Sequence, residues 1–408
     1  MRERFTNKRF VLGVCGGIAA YKSVELLRLL IKQGASVRVI MTRNAAAFVG
    51  PLTFETLSSQ PVCCDLFHDR EDGAIRHIQW AREAHAVIIA PATADMIGKL
   101  ANGIADDALS TFLLAVTAPR LLCPSMNTHM YENIAVQRNI DRLEADGYRI
   151  IEPDAGELAC GTTGPGRLAD PAHIVDRLYH HLRRKDYSGK RVLVTAGPTR
   201  EAIDPVRYIS NHSSGKMGYA LARAAEYRGA DVTLVSGPTN LAPPSGVKTV
   251  AVVSAGDMAE AVFQHAEDAD LIIKVAAVAD YRPVETARGK IKKTAAEFHL
   301  VLTKNIDILA ELGRRKKGRI LVGFAAETGD LDEYALQKLQ AKQLDMIVGN
   351  LIGSPGSGFN ADTNQVTLYH ADGSRETLPV MSKDGIADLI LDSISARHLG
   401  GRTDHEQP

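Results

Sequence analysis

The stretch Phe10 to Lys22, F-V-L-G-V-C-G-G-I-A-A-Y-K, decides how the chain is read. Phe10 to Val14 is a short, continuous apolar run without alternation, the pattern of a strand buried on both faces. Gly16 and Gly17 end it. From about Ala19 to Gln33 the apolar residues then recur at the spacing of an amphipathic helix. The next apolar run, V-R-V-I-M (Val37 to Met41), completes a strand–helix–strand phrase. Such a phrase predicts a parallel sheet covered by helices on both faces.

The pattern continues outward from that phrase. Ala86 to Ala90, Arg120 to Cys123 and Tyr148 to Ile151 are further strands separated by helical segments. A polar stretch, His180 to Lys190, then reads as a domain linker. After it the phrase restarts with R-V-L-V-T-A-G-P-T and is echoed by D-V-T-L-V-S-G-P-T (Asp231 to Thr239). Leu271 to Val275, Arg319 to Phe324 and Met346 to Asn350 supply further strands. The expected fold is two tandem doubly wound, Rossmann-like α/β domains, over 1–187 and 188–408. A chain of 408 residues accommodates this at roughly 150 residues per domain.

Composition narrows the function classes. Lys+Arg and Asp+Glu both number 48, so no general attraction to nucleic acid or to a membrane surface is implied. No apolar run reaches the roughly 18 residues needed to span a bilayer. The charged N-terminus does not read as a signal peptide. The cysteines, Cys15, Cys63, Cys64, Cys123 and Cys160, form no C-x-x-C pair, so neither a zinc site nor a disulfide framework is expected. The cytoplasm is the expected compartment.

Open α/β sheets bind ligands beyond the carboxyl ends of their strands, which directs attention to the residues after each apolar run. After the first, the glycines let backbone approach a ligand and the helix start favours an anion. The spacing is not G-x-G-x-x-G, and M-T-R-N replaces an acidic ribose ligand after the second strand. Thr42, Arg43 and Asn44 offer donors suited to phosphate or to flavin carbonyls, pointing to a flavin mononucleotide rather than a nicotinamide dinucleotide. A-P-A-T-A-D-M follows the third strand, and Thr93 is either an N-cap or part of a surface against a flat ring. P-S-M-N follows the fourth, and Asn127 either caps a helix or grips a carboxylate. His77 lies on a predicted helix, where a lone histidine is usually structural. Cys160, in L-A-C-G-T-T-G-P-G-R, stands among turn formers, an odd place for a core thiol.

These residues together carry a resemblance. G-G-I-A-A-Y-K, His77, A-P-A-T-A-D, P-S-M-N and A-C-G-T-T-G-P-G-R are similar to the flavin-containing cysteine decarboxylases, above all the phosphopantothenoylcysteine decarboxylases, over nearly all of residues 9–182. The resemblance implies an FMN-dependent oxidative decarboxylation. The substrate cysteine is oxidised to a thioaldehyde-type species, carbon dioxide leaves, and the reduced flavin returns the electrons. It makes His77 the base, Asn127 the carboxylate grip and Cys160 the proton donor. It places Gly16, Gly17, Ile18, Thr42, Ala92 and Thr93 at FMN. The cysteine segment would be a lid, ordered by substrate. Gln79, Trp80 and Ser125 depart from the family's common residues, Trp80 with a change of local packing.

In the second half, S-N-H-S-S-G-K-M-G invites a P-loop reading that fails. Ser210 replaces the first glycine and Met217 the magnesium-binding hydroxyl. Asn211, Ser213, Ser214, Gly215 and Lys216 still crowd polar groups suited to an anion into one turn. Lys338 and Lys342, four apart, share a helix face. A-G-P-T-R-E, A-A-V-A-D-Y-R, K-I-K-K, K-N-I-D-I-L and G-F-A-A-E-T complete a set that resembles phosphopantothenate–cysteine ligases. The resemblance implies activation of 4′-phosphopantothenate by CTP with magnesium, through an acyl-cytidylate that L-cysteine then attacks. It places Asp280, Lys290, Asn305, Ile306, Asp307, Ile308, Phe324, Lys338 and Lys342 at CTP and Asn211 at the acyl intermediate; the metal ligands stay unassigned. Ile306 stands where the family usually has proline.

The two halves together resemble the bacterial bifunctional family of coenzyme A biosynthesis, with trimeric decarboxylase and dimeric ligase units in a homo-oligomer. Two other readings are a flavin-binding regulatory subunit, disfavoured by His77, Asn127 and Cys160 occurring together, and an NAD-dependent dehydrogenase, disfavoured by the missing G-x-G-x-x-G.

Overall fold

The computed structural model describes residues 4–65, 76–158, 161–292, 298–327, 331–351 and 361–399. Two compact units divide the chain, Met1–Leu182 and Arg183–Pro408.

The first unit runs β1 (Arg9–Val14), α1 (Ala20–Lys32), β2 (Ser36–Met41), α2 (Ala45–Phe48), α3 (Pro51–Ser58), β3 (Val62–Cys63), α4 (Arg76–Glu83), β4 (Ala86–Ala92), α5 (Ala94–Ala101), α6 (Ala108–Leu114), β5 (Arg120–Pro124), α7 (Thr128–Tyr131), α8 (Ile134–Ala145), β6 (Tyr148–Ile150), β7 (Asp154–Glu157), β8 (Thr163–Arg167) and α9 (Pro171–Leu182). The parallel sheet has the order β3-β2-β1-β4-β5-β6. Alternate residues of each strand face opposite layers. Leu12, Val39, Ile88 and Leu121 pack on Leu26 and Leu30 of α1 and Ile174 and Leu178 of α9. Val11, Ile40, Ile89 and Leu122 pack on Ile97, Leu109 and Leu143 from α5, α6 and α8. Each such side chain contributes about 1.5–3 kcal/mol by leaving water. That double burial is why the strands read as unbroken apolar runs.

The second unit comprises β9 (Arg191–Ala196), β10 (Arg200–Ala202), β11 (Tyr208–Ser210), α10 (Lys216–Tyr227), β12 (Asp231–Ser236), β13 (Lys248–Ala251), α11 (Ala255–Ala266), β14 (Leu271–Lys274), β15 (Tyr281–Pro283), β16 (Leu302–Lys304), α12 (Ile308–Arg314), β17 (Ile320–Glu327), α13 (Leu331–Ala341), β18 (Met346–Leu351), β19 (Thr363–Asn364), β20 (Val366–His370), β21 (Arg375–Thr377), β22 (Met381–Ser382) and α14 (Lys383–Ile394). Its main sheet has the order β13-β12-β9-β14-β17-β18-β20-β21. It is parallel up to β18, and β20 and β21 add antiparallel. Both units are therefore doubly wound α/β layers, as the repeated strand–helix phrases predict.

Two expectations need correction. Residues 163–167 were expected to be turn; they form β8, paired antiparallel with β7. Gly166 permits it. Its φ is +142°, and a Cβ there would overlap the carbonyl oxygen of Met126. The polar stretch 180–190, expected as a linker, is structured instead. His180 and His181 belong to α9. Tyr187 is buried and donates its hydroxyl to the Leu391 carbonyl at 2.7 Å. Beside it, buried Arg228 pairs with Asp186 and, at 2.8 Å, with Asp392. Polarity misled here because these charges satisfy one another.

Candidate active sites

In the first unit the strand order reverses between β1 and β4, and a cavity of about 1000 Å³ opens beyond their carboxyl ends. Gly16, Gly17, Ile18, Thr42, Thr93 and Asn127 all line it. Local bonds fix the floor. Cys15 N donates to Pro91 O at 3.2 Å, Thr42 N to Val14 O at 3.0 Å, and Ser125 N to Ala92 O at 3.0 Å. The glycines divide their work. A Cβ on Gly16 would strike Asn44, so that glycine packs chain on chain, whereas one on Gly17 would meet only Thr93 Cγ2, at 3.9 Å. The start of α1 carries no side-chain cap; Ala20 N and Lys22 N donate to Gly17 O and Ala19 O, at 2.9 and 3.0 Å, and the positive end of the helix faces the cavity.

Thr93 and Asn127 each cap a helix and also line the cavity. Thr93 caps α5 through Met96 N at 3.4 Å and still lines the cavity. Asn127 Oδ1 caps α7 through His129 N at 2.9 Å, while Nδ2 donates to Thr162 Oγ1 at 3.4 Å, beside the β7–β8 hairpin. Thr42 Oγ1 likewise accepts from Ala45 N at 3.2 Å. Ala92 is fully buried and does not line the cavity. Leu158, Gly166 and Arg167 of the hairpin region complete one wall. Cys160 lies outside the described residues.

His77 sits on α4 as expected, half-buried, and is not among the residues lining the cavity within this chain. Trp80 of the same helix is buried, with the Arg38 guanidinium 5.1 Å from its ring centroid. Burial pushes the Cys15 thiol up to about 12, so it is no acid or nucleophile at neutral pH. Sequence reading missed Lys99 on the cavity wall, tied to Asp106 at 2.9 Å and to Asp95 and Asp107 at 3.3 Å.

The second unit repeats the placement. Its sheet reverses between β9 and β14, and a cavity of about 370 Å³ is lined by Gly197, the turn Asn211 to Gly218, Val275 to Ala277 and Phe324. Two threonine hydroxyls, one on β9 and one in the A-G-P-T turn that the ligase resemblance places along the site, brace the segments beside it. Thr195 Oγ1 accepts from Val275 N and Ala276 N, each at 3.0 Å, and Thr199 Oγ1 accepts from Ala279 N at 3.0 Å. Asn211 Nδ2 donates to Ala277 O at 3.4 Å and Val278 O at 3.1 Å, which fixes the amide in the cavity wall. Lys383 and Lys216 flank Asp362, and Lys216 bonds to it at 2.7 Å.

The expected nucleotide residues fall into linked groups. Asn305 donates its backbone N–H to Asp280 O and its side chain to Ala279 O, both at 2.8 Å. Asp307 caps α12 and pairs with Lys342 at 2.8 Å. Lys342 follows the last residue of α13 but keeps the helical bond to Lys338 O at 3.1 Å. Ile306 is exposed, whereas Ile308 is buried in the core. Lys290 is exposed, Phe324 lines the cavity, and Lys293 lies outside the described residues. A lysine missed in the sequence, Lys274, ends β14 and donates to Ala276 O at 3.2 Å. Burial, then the neighbouring Lys342, bring its ammonium down to about 8 against the pull of Asp307 and Asp280. The signal for it was a lysine closing an apolar strand.

Comparison with known proteins agrees with this division. A family model described as flavoprotein matches residues 2–183, and one described as DNA/pantothenate metabolism flavoprotein C-terminal domain matches 187–398. The chain is 51% identical over 394 residues to the coenzyme A biosynthesis bifunctional protein CoaBC of Bacillus subtilis (strain 168), covering 96% of this chain and 97% of the relative. It is 47% identical over 397 residues to the protein of that name from Escherichia coli (strain K12), covering 96% and 98%. A crystal structure of the C-terminal domain of such a protein is 47% identical, spans 52% of this chain and 97% of its own, and superposes with a TM-score of 0.45. Among the described residues, no helix is long and apolar enough to cross a membrane. With a flavoprotein half, a pantothenate-metabolism half and full-length relatives, the chain belongs to the family of bifunctional coenzyme A biosynthesis proteins.

Proposed function

We propose that unit 2 joins L-cysteine to 4′-phosphopantothenate through an acyl-cytidylate made from CTP, and that unit 1 decarboxylates the product to 4′-phosphopantetheine with FMN. The chain is thus a bifunctional enzyme of coenzyme A biosynthesis, with ligase and decarboxylase activities. The division assigned to the halves is 1–187 and 188–408, acting in the cytoplasm. The observation that carries the decarboxylase assignment is the convergence of Gly16, Gly17, Ile18, Thr42, Thr93 and Asn127 on one cavity.

The residues fit a flavin mononucleotide. The cavity is large enough for it. Gly17 admits close approach, the uncapped start of α1 suits a phosphate, and Thr42 and Thr93 border the space. When bound, FMN supplies the two-electron redox chemistry. Asn127 holds the substrate carboxylate by its amide N–H. Cys160 supplies a proton, since an ordinary thiol is protonated at neutral pH. The basic role given to His77 requires it to reach the cavity of another copy. Ile18, Tyr21 and Met130, exposed around this cavity, are what a homo-oligomer would cover. Trimeric decarboxylase units and dimeric ligase units are the proposed assembly.

In unit 2 the nucleotide lies along Asp280, Lys290, Asn305, Ile306, Asp307, Ile308, Phe324, Lys338 and Lys342. Lysines there stabilise charge on the transferring phosphoryl group, and magnesium would add to that charge stabilisation. Asn211 contacts the acyl intermediate. The test is a coupled assay with 4′-phosphopantothenate, cysteine, CTP and magnesium. Pyrophosphate should appear first and carbon dioxide second. Cys160→Ser should form the amide product and stop there; complete turnover by that variant would refute the proton-donor role.

A further inference from the structure

The segment that carries Lys290 is docked onto the turn after β10, and a buried carboxylate makes the joint. Asp204 is 2% exposed. Its Oδ1 accepts from Val206 N and Arg207 N, each at 2.8 Å. Its Oδ2 accepts from Arg207 Nε at 3.0 Å and Nη2 at 2.6 Å. That same oxygen also accepts the backbone N–H of Ile291 at 3.2 Å. Arg207 Nη2 donates to the Ile291 carbonyl at 3.3 Å. The Asp204–Arg207 pair therefore holds both backbone polar groups of the residue next to Lys290.

The other end of the segment is tied to the same turn. Ala287 N donates to Ile203 O at 3.0 Å, and Thr286 Oγ1 to Ala202 O at 3.2 Å. Lys290 itself is exposed between these anchors. A lysine is a flexible point charge, and fixing its main chain removes much of the freedom that a phosphate would otherwise have to freeze. A turn that needed only its own closure would not require Asp204 to bond a residue 87 positions away.

We propose that Asp204, acting through Ile291, is a positioning residue that sets Lys290 for acyl-cytidylate formation. This rests on the reading of Lys290 as a nucleotide contact. Asp204 touches no substrate in this arrangement. Its effect belongs to the first half-reaction, where charge develops on the transferred phosphoryl group, and not to the attack of cysteine on the activated acyl group.

The experiment uses the full-length chain with FMN bound, and measures single-turnover pyrophosphate release from CTP and 4′-phosphopantothenate. Asp204→Asn keeps the shape and removes the charge. Its release rate should fall by about 10- to 100-fold, the scale of a misplaced catalytic contact. Its apparent affinity for cysteine and its decarboxylation of supplied phosphopantothenoylcysteine should stay within threefold. Lys290→Gln should be slowed at least as much, and adding Asp204→Asn to it should slow it no further. If Lys290→Gln is slow and Asp204→Asn releases pyrophosphate within threefold of the unaltered enzyme, the positioning role is overturned and the nucleotide reading survives. If Lys290→Gln is itself within threefold, the nucleotide reading fails and the inference with it. Should Asp204→Asn fail to fold, replacing Ile291 by its α-hydroxy-acid analogue removes the N–H that Asp204 receives from the segment and keeps the side chain. Unimpaired release by that variant overturns the proposal, and slow release with no added loss on the Lys290→Gln background upholds it.

Discussion

Lys274 puts an ammonium where an apolar strand ends. The folded protein releases its proton near 8, whereas a lysine in the unfolded chain does so at 10.5. Between those values the unfolded chain binds more protons, so stability rises with pH. Replacing Lys274 by methionine removes this slope. The melting temperature of the ligase unit, taken as unaltered enzyme minus Lys274→Met, should therefore increase from pH 8 to pH 10. A flat difference would mean that the ammonium is not penalised in the folded state. The one local mark of Lys274, a lysine closing an apolar run, is the same as that of a solvated side chain. Asn127 and Asn211 were legible because they stand in polar turns after strands. Thr195, Lys274 and Asp204 each also meet groups far along the chain, which no local pattern foretells.

At the scale of the element, the main strands were legible because both their faces are buried. The short pairs β10–β11 and β15–β16 were not, since strands of three residues carry no usable period. The β7–β8 hairpin was hidden for another reason: glycine and proline ordinarily interrupt strands, and here they allow close approach to Met126. Gly166→Ala should displace the hairpin from the fourth strand exit. We expect decarboxylation to fall by at least about 10-fold while pyrophosphate release is unchanged, the scale following from a misplaced active-site wall. Accumulation of phosphopantothenoylcysteine, followed by chromatography, reads both outcomes in one reaction. Equal loss of both activities would contradict a local effect.

For the molecule as a whole, the repeat of the strand–helix phrase was enough to foresee two doubly wound units. The way residues 183–190 join the second of them was not. Arg228 is almost wholly buried and depends on Asp186 and Asp392 for its charge. Although burial alone would raise the Asp186 carboxyl, the Arg228 and Arg184 guanidiniums hold it well below the usual range. That stabilisation is present above the ordinary carboxylate range and is lost as the pH falls below it, through the lowered folded value. Asp186→Ala leaves an underpaired buried cation, which costs about 3 kcal/mol. Urea unfolding of the ligase unit should report that loss at pH 7, with flavin absorbance unchanged.

The hydroxyls of Thr195 and Thr199 also determine how long the ligase floor keeps its amide protons. The N–H groups of Val275, Ala276 and Ala279 lie outside the strands, yet each is held by a buried hydroxyl of the adjacent segment. In deuterated solvent they should exchange on the slow timescale of the sheet and not with the surface loops. The wall proposed to meet the acyl intermediate would then open only when the centre of the domain does.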